Sequence, residues 1–101
     1  PIRKMEWTEV NQRVFVLTTT YQEYVYNKVE TTKEQSGAVL FDFDNNWRGG
    51  VGTSDGYLTV YRDTDFEKAK AAVEKHVTEA ARERADANQG NAASPSTTAK
   101  S

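Results

Sequence analysis

Asp42 and Asp44, at the end of the apolar run AVLFDFD, are the residues of this chain best placed to do chemistry. Two carboxylates at i and i+2 can share a divalent cation and divide nucleophile and acid/base duties in phosphoryl transfer. That chemistry also needs a phosphate-binding Ser or Thr, a Lys and further carboxylates from later strands. With Asn46, the same pair imitates the opening of a calcium loop. The glycine required at the loop's sixth position is Trp47, and no Glu stands at the twelfth, so the pattern fails. His76 is the only histidine, and the chain has no Cys, so a metal constellation is missing its members. No Ser or Asp stands at a matched position for a triad. His76 is expected as a boundary residue on a helix, sensitive to pH. Gly49-Gly50-Val51-Gly52 lacks the Lys-Ser/Thr pair of a phosphate cradle and precedes a strand, which favours a bulged hairpin. The expectation is a protein without catalytic residues, metal or cofactor.

Several local resemblances follow from these residues. AVLFDFDNN resembles the first motif of the haloacid-dehalogenase phosphatases, which would make Asp42 the nucleophile and Asp44 the acid/base around magnesium. The family's Gly-Thr after the second Asp is here Asn45-Asn46, and a hairpin replaces its helix. Pro1-Ile2 resembles the start of the tautomerases, whose N-terminal proline is catalytic, although that family follows its first strand with a helix. Pro1 also fits a native N-terminus left by removal of an initiator Met. The run from Trp47 to Val73 resembles the three-strand-plus-helix DNA readers of the integrase-arm type, in which Arg and Trp on the sheet enter the major groove. It is similar, too, to the strand-hairpin-strand-helix ending of small uncharacterised phage-type proteins.

The elements that must hold these residues read as follows. Met5–Val10 alternates apolar and polar and is a short strand. Arg13–Tyr21 is apolar on both faces, as a central strand would be. Tyr24–Glu30 is a third strand, or the continuation of the second as one long bent strand. Thr31–Gly37 is polar and ends in Ser-Gly, which marks a loop. Ala38–Asp44 resumes the strand, and Asp44-Asn45-Asn46 makes a turn. Trp47–Gly52 and Tyr57–Arg62 pair across Thr53-Ser54-Asp55-Gly56. Thr64-Asp65-Phe66-Glu67 fits a capping box with Thr64 as N-cap. Phe66, Ala69, Val73, His76 or Val77, and Ala80 then form one thin apolar stripe that fades after Ala81.

The composition agrees with a sheet. Val, Thr and the aromatics dominate, while Leu and Ile are scarce. The expected fold is α+β: an antiparallel sheet of five or six strands with one C-terminal helix packed on one face. It is either a meander or a half-barrel curved around the helix. Residues 1–85 form the single domain. Residues 86–101, rich in Ala, Asn, Ser and Thr without a large apolar side chain, form a disordered tail. No run is long and apolar enough to span a bilayer, and no basic-then-apolar leader opens the chain, so a soluble, cytoplasmic protein is expected (host cytoplasm if phage-encoded). A net charge of −2 with scattered signs disfavours broad phosphate-backbone binding.

With Phe41, Phe43, Leu58 and Val60 turned to the helix, Tyr24, Tyr26, Tyr57 and Tyr61 are expected on the uncovered face, with Arg48 and Arg62 on that face or its rim. Those six residues are the candidate partner-binding set, because Tyr and Arg supply rigid contact area. Cross-strand aromatic pairing for stability alone explains the same residues. The function expected is a small non-enzymatic binding or regulatory protein that engages a partner protein through this aromatic face or a free edge. The alternatives are a nucleic-acid-binding sheet module and a structural or assembly component of a larger particle, the latter self-associating at micromolar concentration.

Overall fold

The computed structural model describes the backbone of residues 1–93 and the side chains of residues 1–85. Five strands, β1 (Ile2–Asn11), β2 (Val14–Val25), β3 (Lys28–Phe41), β4 (Trp47–Thr53) and β5 (Gly56–Asp63), precede one helix, α1 (Phe66–Ala93). The strands pair in sequence order, all antiparallel, so the sheet is a meander. Of the tail expected at 86–101, the backbone of residues 86–93 continues α1, and residues 94–101 lie outside the described residues. No described helix is long and apolar enough to cross a membrane.

One face of the sheet carries the core. Leu17, Val39 and Val51 from β2, β3 and β4 meet Ala69, Val73 and Val77 of α1, all of them buried. Each of the Leu and Val side chains contributes about 1.5–3 kcal/mol when fully buried. The small helix stripe needs small partners beneath it. A Cβ on Gly49 would lie 2.9 Å from Val73 Cγ2 and 3.1 Å from the Ala69 carbonyl, and one on Gly37 would run into Val73 Cγ1. Glycine at both positions lets the helix backbone settle close to the sheet. At the end where α1 begins, Phe15, Trp47 and Phe66 form a cluster with ring centroids 4.6–6.0 Å apart, joined by Phe41 at 5.0 Å from Trp47. Trp7 donates from Nε1 to Glu74 at 2.5 Å, fixing β1 to the helix.

Four expectations change at this level. The N-cap is Asp65, whose side chain accepts from the Lys68 N–H at 3.0 Å, and not Thr64. The loop expected at Thr31–Gly37 is strand: it is the middle of β3, paired with β2 from Leu17 to Gln22. The stretch Tyr24–Glu30, expected as a third strand, is instead the end of β2 and the start of β3, joined by a two-residue turn with Tyr26 and Asn27 at φ of 52° and 64°. Phe43, expected against the helix, stands in the β3–β4 turn and is 99% exposed.

Candidate functional site

The six residues expected to form one surface fall into three places. Tyr24 and Tyr26 sit at the far end of the β2–β3 hairpin, 81% and 94% exposed. Tyr57, Arg48 and Arg62 lie on the face away from α1. Tyr61 is on the helix face, half-buried against the core. The sheet does not gather them.

Tyr61 changes sides because of one extra residue. In β4–β5 the register steps between Gly49, paired with Tyr61, and Gly50, paired with Thr59, so Val60 is a bulge. Beyond it the alternation inverts, and Tyr57 and Tyr61 point to opposite faces. Tyr57, still 52% exposed, lays its ring over the Cα of Gly50, where a side chain would collide with it. Partial desolvation raises its phenol pKa above the ordinary 10.0.

Arg48 and Arg62 face one another across β4 and β5, an arrangement of like charges that needs a counter-charge. Asp42 supplies it. Its Oδ2 stands 3.4 Å from Arg62 Nε and 3.7 Å from Arg48 Nη2, while Asp44 bonds Arg62 Nη2 at 2.5 Å. Oδ1 of Asp42 accepts from the N–H of Asp44 at 2.9 Å and of Asn46 at 3.3 Å, which shapes the turn. The bond from the Asp44 N–H, then that from Asn46, then the two guanidinium groups hold the Asp42 carboxyl below the ordinary 3.8. Expected in solvent, the Asp42 side chain is instead only 8% exposed. The AspxAsp pair therefore faces two cations, the wrong electrostatic surroundings for magnesium or calcium. Among the described residues, no group of three or more His, Asp or Glu side chains is arranged to hold a metal ion.

Between α1 and the β3–β4 boundary a cleft of about 240 Å³ is lined by Tyr21, Glu34, Ser36, His76, Val77 and Arg84 among others. It exists because Ser36 is a bulge in β3, and β4 stops pairing with β3 at Gly37. The Arg84 guanidinium lies 5.5 Å from the Tyr21 ring centre. Burial and the Glu34 carboxylate raise the Tyr21 phenol pKa above 10.0, with Arg84 opposing.

The most exposed feature is the arm made by the ends of β2 and β3. β4 pairs only with Gly37–Phe41, so Lys28–Ser36 has no strand on its outer side among the described residues. The amide of Gln22 bonds the Pro1 carbonyl at 3.0 Å, turning toward β1 and away from β3. Gln22 and Thr31 are therefore a non-hydrogen-bonded pair, and Thr31 aims its N–H and C=O outward. By alternation Val29, Lys33 and Gln35 do the same. Sequence reasoning missed this edge, because a polar stretch with no core beneath it carries no period-2 signal.

No family model, no curated protein and no solved structure matches this chain.

Proposed function

We propose that this chain is a non-catalytic protein-binding module that engages a partner protein by accepting a strand along the free edge of β3, with Tyr24 and Tyr26 at the end of that edge as anchors. One observation carries the reading. Tyr26 holds a left-handed backbone conformation, φ 52°, which costs an L-residue about 1–2 kcal/mol, and it gives its own fold almost no burial in return. A bulky residue held in strain at an exposed tip is a reason to look for function there. The open face is a weaker candidate, because Arg48 and Arg62 are engaged by Asp42 and Asp44. The same engagement, with a net charge of −2, weighs against nucleic acid as the ligand.

The test is affinity capture from the native lysate with the immobilised full chain, with and without nuclease, against two variants. Tyr24→Ser/Tyr26→Ser removes the anchors, and Tyr57→Ser removes the open-face ring. The expected result is nuclease-resistant capture that the tip variant loses and the Tyr57 variant keeps. Capture that survives the tip variant, or that nuclease abolishes, rejects the proposal.

A further inference from the structure

The partner that fits the free edge of β3 best is a second copy of this chain, and we infer that two copies pair their β3 strands antiparallel about a two-fold axis at Thr31. The inference rests on the edge reading above and adds its occupant. Hydrogen bonding restricts the register first. Val29, Thr31, Lys33 and Gln35 point their amides and carbonyls outward, so an antiparallel partner must set odd residues against odd residues. Registers displaced by one residue would face outward groups with inward ones and form no ladder.

Charge then chooses among the registers that remain. With Thr31 opposite the partner's Thr31, Lys28 faces the partner's Glu34, and the symmetry supplies that pair twice. Glu30 faces the partner's Thr32, and the Lys33 stem lies beside the partner's Val29. Moving the strands by two residues one way brings Glu30 against the partner's Glu30. Moving them the other way brings Glu30 against the partner's Glu34. Like charges directly opposite are unfavourable and opposite charges favourable, so both neighbouring registers are disfavoured. A shift that sets Val29 against the partner's Val29 keeps Lys28 opposite Glu30, but it draws the turn residue Asn27 into the ladder and leaves fewer bonded pairs, so the centred register is chosen. The centred register forms three hydrogen-bonded pairs, about six bonds. It also carries the partner's Tyr26-Asn27 turn to a position opposite Gln35 and Ser36. The cleft lined by Tyr21, His76 and Arg84 opens there, so the strained, exposed Tyr26 of each copy has a place to lodge in the other.

The chain has no Cys, which makes the test clean. Thr31→Cys places one thiol on the two-fold axis, at a Cα separation near 5.5 Å that a disulfide spans. On mild oxidation Thr31→Cys should give a covalent dimer at least about ten-fold faster than Gln35→Cys, whose symmetry mate lies farther away. In sedimentation equilibrium the unmodified chain should be a reversible dimer in the micromolar range. Thr31→Pro removes an N–H that bonds nothing among the described residues, so it should yield a folded monomer. Glu34→Lys should weaken dimerisation about ten-fold, and adding Lys28→Glu should restore it, since the swap reverses both ends of each pair. Circular dichroism of every variant separates unfolding from lost association.

A wild type that stays monomeric up to about 500 µM overturns the self-pairing. If Thr31→Pro then abolishes capture of another protein, the edge reading survives with a different occupant. A dimer indifferent to Thr31→Pro and to the charge swap overturns both, because the interface would lie elsewhere.

Discussion

Tyr26→Gly should make the protein more stable and less able to associate. At φ 52° the tyrosine backbone is strained by about 1–2 kcal/mol, and glycine removes that strain. Glycine also adds freedom to the unfolded chain, which takes back roughly 0.5–1 kcal/mol. The ring contributes little to offset either quantity, because Tyr26 is 94% exposed. The net expectation is a gain of about 0.5–1 kcal/mol. In a domain of this size that raises the melting temperature by about 2–8 °C. Thermal unfolding by circular dichroism reads the first effect, at a concentration low enough that dimer formation adds nothing. Sedimentation equilibrium reads the second, where the dissociation constant should rise at least about five-fold because an aromatic anchor is lost. Opposite movement of the two readouts is the signature of a residue kept for contact at the expense of the fold. A lower melting temperature would mean that the turn is not strained. A higher one with unchanged association would mean that the ring has no partner.

Two further predictions probe the frame that holds the arm. Gly49→Ala sets a methyl 2.9 Å from Val73 Cγ2 and 3.1 Å from the Ala69 carbonyl, and should destabilise the domain by about 1–3 kcal/mol in denaturant unfolding. Val73→Ala should cost less in that background than alone, and additive effects would place the helix farther from the sheet than described. Asp42→Asn should lower the melting temperature at neutral pH, because it leaves Arg48 and Arg62 facing each other without their counter-charge. The folded carboxyl titrates below its ordinary 3.8, so its stabilisation is present above that pH and lost as the pH falls through the lowered value. The variant should therefore show a flatter acid limb than wild type below about pH 4, and identical limbs would remove Asp42 from the account.

The parts of the fold that were legible in the sequence are those with a local signal tied to the core. Ser54-Asp55 followed by Gly56 marks the β4–β5 turn, the Asp-Asn-Asn stretch marks the β3–β4 turn, and the Ala69, Val73, Val77 stripe marks the helix face. The glycine run has the close neighbours it suggested, with Val73 pressing on Gly49 from one side and Tyr57 on Gly50 from the other, while the bulge falls on the facing strand at Val60. The N-cap moved by one residue, from Thr64 to Asp65, since either side chain can cap and only geometry decides. The site was less legible, for two reasons. Alternation assigns Tyr57 and Tyr61 to one face unless a bulge intervenes, and no residue type announces that Val60 is one. The turn at Tyr26-Asn27 lacks the glycine that usually betrays a left-handed pair, so Tyr24–Glu30 read as unbroken strand.

The polar character of Thr31–Gln35, which disguised it as a loop, is also what an exposed edge requires. An apolar edge would pair with any passing strand, and charged residues are the usual protection. Here the charges do more than repel. Lys28, Glu30, Lys33 and Glu34 are ordered so that the centred antiparallel register with a second copy is free of facing carboxylates, while its two neighbours are not. A foreign strand must meet the same row of alternating signs with outward groups in the same phase, which few sequences do. Specificity at such an edge comes from the registers it penalises as much as from the one it favours. Between Lys28 and Gln35 the arm carries Val29 as its one large apolar side chain, which argues for a selective edge with the aromatic contact confined to its tip.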